Sequence, residues 1–482
     1  MVSEDQRQCN SVNTELQYLF PSIHHVVPDN IVQRYLMNAG NKIEMYNRMI
    51  KFIMSKSSVK PVWDPTIIQR EIFVPAGNTL VAGKRQLQPN CSILGTVTDS
   101  NLTQMISRAT LIWKSAIGIG FDLTGCQDPV AVLKTLSELN HSIELEWSRP
   151  KRGNMATLSI HHPRVLEFIH CKSCSEEASQ QLYNFNISVS VTDKFMEYAL
   201  ANPDNDESNL LFQIAHHAWK CGDPGLVFID RVQDEHHEEG PIVTCVPCGE
   251  QFMHNNETCN LGSINLTNLL YQEDGQIYFD WNLYESAIKT AVLFMDQVID
   301  LYQIPDQIMA KTAVRLRRIG LGVMGFARML QLMNIPYQSE KALWWADHLA
   351  YKLTEEANRT SWSITSPNNS HRRNITVTCV APTGGIRNLV DTDSYGIEPL
   401  FTQCSSIDPL FSVKMTAAWQ KHLENSISKT INLANDVDVK VVLDVILEAY
   451  HSKLKGITVY RDGSRLFQPK KIKCDGDSCQ LS

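Results

Sequence analysis

The chain predicts an α/β protein built on a mostly parallel sheet. Short β-branched segments alternate along it with segments of helical apolar periodicity, the pattern of strands joined by crossover helices. No Pro/Gly/Ser linker, internal repeat or low-complexity run divides it before its last residues. At 482 residues, 43% hydrophobic and 20% charged, it has the composition of a globular protein and the length for one large body with appendages.

The elements follow in order. Residues 1–70 read as an amphipathic helical segment, with apolar positions three to four apart in Ile31–Leu36 and Ile43–Ile50. Strands are expected at 71–75 and 91–94, followed by a helix over 101–116. Further strands are expected at 155–160, 184–191, 226–229, 375–380 and 457–460. Together, residues 71–465 form the α/β body. After Tyr460 the sequence turns polar and charged, and 466–482 reads as a flexible tail.

Composition narrows the function. A net charge of −8 with no basic stripe argues against nucleic-acid binding. The start is polar and no apolar run reaches membrane-spanning length, so neither export nor a membrane is expected. Thirteen cysteines without an export signal fit a reducing cytoplasm, where thiols act chemically more often than they cross-link.

The most informative segment is 245–266, Cys-Val-Pro-Cys-Gly-Glu followed by Cys259 in Cys-Asn-Leu-Gly-Ser. Cys248 stands two residues before Glu250, and Cys259 follows eleven residues after Cys248. A thiol beside a carboxylate suits radical or nucleophilic chemistry, and a second thiol nearby can close a disulfide and so release two electrons. The terminal pair Cys474 and Cys479 is placed to exchange with such a disulfide. Other cysteines and histidines read as ordinary. Cys171, Cys174, His161, His162 and His170 lack a second half at zinc-site spacing, and the pairs at 216–217 and 236–237 read as solvated. Gly118-Ile-Gly reads as a tight turn at a strand start.

Pro247–Glu250, Cys259–Leu266, Arg317–Phe326, Ala381–Gly384, Gly396–Pro399 and Thr458–Arg465 together resemble the catalytic subunit of ribonucleotide reductase, most of all its adenosylcobalamin-dependent branch. Shorter matches at Asn90–Leu94, Gly118–Phe121, Arg152–Ala156, Asn184–Val189 and Pro224–Asp230 fall in the same order. The resemblance covers about residues 70 to 465.

It implies a ten-stranded α/β barrel of two five-stranded parallel halves, antiparallel to each other, with the catalytic thiol on an inner finger loop. By resemblance Cys248 carries a thiyl radical and Glu250 is the general base. Cys91 and Cys259 supply two electrons, and Cys474 and Cys479 in the tail are reset by a thioredoxin- or glutaredoxin-like reductant. Asn90, Ser92, Val246, Pro382, Thr383, Gly384, Gly385, Ile386 and Arg387 line the site of a nucleoside di- or triphosphate, with the 382–387 turn at a helix start holding phosphate. Adenosylcobalamin is the implied cofactor. The alternatives are a radical-generating, metal-containing small subunit or a non-catalytic nucleotide-binding homologue. A homodimer is a further implied state.

The sequence departs from the family at several points. Val246 stands where the family has Asn, and Gly385 and Arg387 stand where it has Thr and Ser. The stretch between Phe121 and Arg152 is short, which trims the first effector loop, and residues 1–70 leave little room for a nucleotide-sensing domain. One tyrosine, Tyr460, stands where a partner-dependent enzyme has two adjacent ones.

Overall fold

The computed structural model describes residues 84–146, 153–172, 182–233, 240–365, 372–384 and 406–464, with shorter stretches at 72–73, 77–81, 394–400, 472–475 and 478–481 and single residues at 386 and 392. The expected helical segment 1–70 lies outside the described residues, as do Cys174, His236, His237, Gly385 and Arg387.

The first strands are β1 (Ile72–Phe73), β2 (Gly77–Val81), β3 (Lys84–Gln88), β4 (Cys91–Thr98), β5 (Gly118–Gly125), β6 (Asn154–Ser159), β7 (Phe185–Val191) and β8 (Gly225–Phe228). Then come β9 (Thr244–Cys245), β10 (Phe252–Met253), β11 (Glu257–Asn265), β12 (Leu270–Glu273) and β13 (Gln276–Phe279). The last are β14 (Ile319–Met324), β15 (Thr430–Leu433), β16 (Gly456–Arg461), β17 (Ile472–Asp475) and β18 (Ser478–Leu481).

Ten strands form one sheet in the order β1-β11-β4-β5-β6-β7-β8-β16-β15, with β14 also beside β11. β4 to β8 are parallel throughout. Helices in the connections, such as Leu102–Lys114 and Asp206–Cys221, supply the length that parallel strands need. β11 pairs parallel with β14, and β15 with β16. The two blocks meet antiparallel, at β11 with β4 and at β16 with β8.

The expected strand at 375–380 is not formed. Its residues make only single parallel bridges, Leu321 with Thr378 and Val380 with Ile427, so the paired strands do not make a continuous ring. Its backbone groups bond partly to β14 and to residues 425–428, the Leu321 N–H on Val377 O at 2.8 Å and the Val380 N–H on Ser426 O at 3.1 Å, and partly to side chains. Arg372 donates to the carbonyls of Asn374 and Ile375, and the Val377 N–H donates to the Glu424 carboxylate. In the tail, β17 and β18 pair antiparallel, with Cys474 directly opposite Cys479.

Alternation along the strands separates an apolar outer face from a more polar inner one. In β7, Phe185, Ile187, Val189 and Val191 are buried under the helices, and Asn186 and Ser188 face the other way. In β16, Ile457 and Val459 take the outer side, which leaves Thr458 and Tyr460 on the inner one. A second apolar core packs helices Trp281–Ile299 and Glu340–Ser363 against β11 and β14. Arg108 and Asp306 tie the two blocks together at 2.6 Å.

Candidate active site

β9 and β10 form a short hairpin, Phe252 opposite Cys245 and Met253 opposite Thr244. The Val246 N–H donates to Gln251 O at 2.9 Å and the Gly249 N–H to Val246 O at 2.9 Å, which turns the chain through Pro247 and Cys248. Gly249 has φ +76, a conformation glycine adopts without steric penalty.

The hairpin lies against the inner face of the sheet, and glycines make room for it. A Cβ on Gly120 would stand 2.3 Å from Cys245 O, and one on Gly118 would meet Gly153 O at 2.7 Å and the Pro247 ring at 3.1 Å. On β14, a Cβ on Gly320 would meet Gln251 Nε2 at 2.2 Å. Gly118-Ile-Gly is therefore a close-approach surface inside β5, not a turn. Hydrogen bonds hold the hairpin from both blocks. Asn186 Nδ2 donates to Pro247 O at 2.8 Å, and Thr157 and Thr244 join their hydroxyls at 2.8 Å. Asn425 donates to Gln251 Oε1 at 2.8 Å and accepts from the Phe252 N–H at 2.8 Å.

The reacting groups converge on this hairpin. Cys248 is exposed at its tip, and Glu250 is buried behind it. Glu250 Oε2 has no hydrogen-bond partner, and burial raises the carboxyl to about 7. Cys91 on β4 is directly opposite Cys259 on β11. Opposed antiparallel residues stand about 4.5–5.5 Å apart at Cα, within the span a disulfide bridges. Cys259 is buried, and Cys248, although its side chain is accessible, is surrounded by protein on the inner face; desolvation, and then the charge of Glu250, pushes both thiols well above their ordinary range. Both are held as S–H, the form from which a hydrogen atom can be taken. Val246 is fully buried in an apolar cluster with Ile93, Met253, Cys259, Leu261, Cys379 and Ala381.

Asn90 and Ser92 are engaged by backbone. Asn90 Oδ1 accepts from the Leu261 N–H at 2.9 Å and its own N–H donates to Cys259 O at 3.2 Å, fixing the register that opposes the two cysteines. Ser92, fully buried, donates to Gly118 O at 3.3 Å. In these placements both align β4. At the 382–387 turn, Thr383 has φ +57 and accepts from the Gly396 N–H at 2.9 Å, Gly384 is exposed, and Pro382 and Ile386 are half-buried. The expected helix start cannot be followed past Ile386, because 387–391 lie outside the described residues.

Several groups escaped sequence reading. Cys379, fully buried, has its thiol raised by burial and by Glu250. Arg318, also buried, donates to Glu257 Oε1 at 2.5 Å and Thr376 Oγ1 at 3.0 Å beneath β11. Asn425 carried no motif; only its contacts with the hairpin reveal it. Among the described residues no group of three or more His, Cys, Asp or Glu side chains is arranged to hold a metal. His217, expected in solvent, is buried with its ring on Asp223 O at 3.1 Å, because its helix turns that face inward. Cys171 is half-buried against the outer core, and His161 and His170 are exposed. No described helix is long and apolar enough to cross a membrane.

Comparison with known proteins follows the same lines. The family described as ribonucleotide reductase, barrel domain, matches residues 90–207, 204–373 and 397–460. The chain is 31% identical over 423 residues to the vitamin B12-dependent ribonucleoside-diphosphate reductase of Mycobacterium tuberculosis (strain CDC 1551 / Oshkosh), covering 68% of this chain and 60% of that protein. It is 28% identical over 501 residues to the protein of the same name from Thermoplasma acidophilum, covering 82% and 64%. The chain thus spans about three fifths of the length of such relatives. In fold it is similar to the Actinobacillus ureae class Id ribonucleotide reductase alpha subunit, with TM-score 0.72 at 17% identity over 94% of this chain and 97% of that one.

Proposed function

The chain belongs to the ribonucleotide reductase barrel family, and on that premise we propose that it reduces ribonucleotides to deoxyribonucleotides through a thiyl radical on Cys248. The observation that carries this is the convergence of one exposed thiol, a carboxyl poised near neutrality and a cross-strand cysteine pair on one inner hairpin.

Cys248, once it has lost its hydrogen atom, takes the 3′ hydrogen of the bound ribose. Glu250 accepts the 3′-hydroxyl proton, which its partnerless Oε2 leaves it free to do. The 2′-hydroxyl departs as water with a proton from one thiol of the Cys91–Cys259 pair, the second hydrogen of that pair goes to the 2′ carbon, and Glu250 returns its proton to the 3′ oxygen. Cys91 and Cys259 give up two electrons and two protons and close a disulfide, and Cys248 returns the hydrogen to the 3′ carbon. Cys474 and Cys479, opposed across the tail hairpin, then exchange with that disulfide and are reset by a thioredoxin- or glutaredoxin-like donor. Val246 is buried in an apolar cluster and offers no polar group, so polar recognition of the ribose falls to other groups.

The radical source in this reading is adenosylcobalamin, since the relatives are named as vitamin B12-dependent. When bound it supplies, by breaking its cobalt–carbon bond, an organic radical able to take the Cys248 hydrogen. The fit rests on access: at the hairpin tip Cys248 is exposed and Gly249 half-buried, and these are the residues it would meet. A relay from a small subunit fits less well, since Val459 beside Tyr460 is buried in the outer core. Closure of the sheet into a ten-stranded barrel belongs to the same reading, supported by the bridges that carry β14 through Thr378 and Val380 to Ile427, just ahead of β15.

Anaerobic assay of deoxynucleotide formation from nucleoside di- and triphosphates, with dithiothreitol, tests the proposal. Product is expected with adenosylcobalamin, none without it, and none from Cys248→Ala under either condition. Product from the Cys248→Ala protein would overturn the mechanism, and no product from the wild type with any radical source would favour a non-catalytic homologue.

A further inference from the structure

The two cysteines opposed across β4 and β11 are unequal. Cys259 is fully buried and Cys91 is half-buried. A thiol arriving from outside therefore meets Cys91 first. In thiol–disulfide exchange the attacked sulfur keeps the incoming thiol, and the other sulfur departs as thiolate. Attack at Cys91 makes Cys259 the leaving group, and burial makes a thiolate there costly.

A cation stands beside it. In the parallel pairing of β11 with β14, Asn260 is opposite Ile319 and the Asn260 N–H donates to Arg318 O at 3.2 Å, which brings Arg318 next to Cys259. Glu257, two residues before Cys259 on the same strand, shares its face. Arg318 reaches across that face to Glu257, Nε on Oε1 at 2.5 Å and Nη2 on Oε2 at 3.1 Å. Its Nη1 donates to Thr376 Oγ1 at 3.0 Å, so the guanidinium is held from two sides. Both members of the ion pair are fully buried. Burial opposes the Glu257 charge, but Arg318 and His254 hold its carboxyl down at about 2, and the pair stays ionised. Glu257 Oε2 is engaged as well by the His254 N–H at 2.9 Å. The Arg318 charge acts on the Cys259 thiol in the lowering direction, against burial, Glu250 and Cys379.

We propose that Arg318 sets the direction of re-reduction: its guanidinium stabilises Cys259 as the departing thiolate, so the reducing thiol bonds to Cys91. The sulfur of the incoming thiolate joins Cys91 Sγ, and the bond to Cys259 breaks with its electron pair on Cys259, which then takes up a proton. A second reducing thiolate displaces Cys91, which leaves with the electron pair of that bond and is protonated in turn. The inner pair is reduced, the two reducing thiols are oxidised to a disulfide, and their two protons pass to the inner pair. Arg318 acts through Cys259 and is a positioning residue. The inference rests on the Cys91–Cys259 disulfide of the proposed function, and not on its radical steps.

The test uses the full chain carrying Cys248→Ala, Cys474→Ser and Cys479→Ser, so that neither turnover nor the tail intervenes. Diamide, a two-electron azo oxidant, closes the inner disulfide and dithiothreitol reopens it, each followed by alkylation and mass spectrometry. Adding Arg318→Met with Glu257→Gln removes both charges together and is expected to slow reopening at least tenfold. Arg318→Lys keeps a cation and should reopen near the parent rate. The midpoint potential of the pair should stay level across these variants, because both thiols are protonated once reduced; a merely structural role would move potential and rate together. Brief exposure of the oxidised parent to glutathione is expected to leave the adduct on Cys91. Reopening at the parent rate without the charges, equal slowing by Arg318→Lys, a potential that shifts with the rate, or glutathione on Cys259 overturns the proposal. If diamide never closes the pair, the disulfide of the proposed function falls and this inference with it.

Discussion

Glu250 shows how one residue can be selected against stability. Its carboxyl titrates near 7 in the fold, against about 4.5 for an ordinary one, because burial disfavours the charge. The unfolded chain therefore ionises first, and stability is lost as pH rises from about 4.5 through 7. A shift of that size corresponds to about 3 kcal/mol at alkaline pH. Glu250→Gln is expected to raise the melting temperature at pH 8 while lowering turnover about 10²–10⁴-fold. In the wild type, turnover should rise with pH through about 7 as the base ionises; a flat profile, or an active Glu250→Gln protein, would remove Glu250 from that role. Val246 poses the opposite case. Its side chain belongs to an apolar cluster, so Val246→Asn buries an amide at about 1–3 kcal/mol if it stays unpartnered. Turnover should stay level or fall and the melting temperature drop; a rise in activity would mean that the pocket still accommodates the amide. Spacing singled out Cys248 and Glu250 because both lie on one short hairpin, and Cys259 because it follows on the next strand of the same segment. Cys379 and Arg318 could not be found this way, since each matters only through partners brought to it by folding.

At the scale of elements, the hairpin's position depends on what neighbouring strands lack. A methyl group on Gly120 would stand 2.3 Å from a hairpin carbonyl. Gly120→Ala must therefore displace Cys245 and the thiol three residues on, at about 1–3 kcal/mol of strain. At least a tenfold loss of turnover is expected in a protein that still folds, read by parallel melting and activity assays; full activity would show that the hairpin has room to move. Six of the seven expected strands and the helix over 101–116 formed, whereas β5, β11, β14 and β15 of the same sheet were not foreseen. The run at 375–380 misled because its β-branched residues have strand propensity, whereas it meets β14 on one side and residues 425–428 on the other through isolated bridges, not a continuous ladder. Gly118-Ile-Gly also misled. Glycines of a turn and glycines under a packed hairpin look alike until the hairpin is in place.

For the whole molecule, the parallel blocks follow from helices in the connections, and the antiparallel meeting of β4 with β11 is what opposes Cys91 to Cys259. That meeting joins residues far apart in sequence, so family resemblance suggested the pair but periodicity could not. In the proposed cycle the tail acts from outside the sheet, and the β17–β18 pairing that opposes its cysteines was hidden in a polar sequence with no apolar alternation. Replacing both Cys474 and Cys479 with Ser is expected to spare the first turnover and stop later ones driven by thioredoxin, with partial rescue by dithiothreitol. Undiminished thioredoxin-driven turnover would show that reductant reaches the inner pair directly.

The most direct test of the central claim is a count of disulfides after one turnover. Reduced protein lacking the tail cysteines would be given substrate and adenosylcobalamin without external thiol, quenched by alkylation and mapped by mass spectrometry. One Cys91–Cys259 disulfide should form per deoxynucleotide, and neither should form when Cys248 is also replaced with Ala. Deoxynucleotide made without that disulfide, or made without Cys248, would contradict the account.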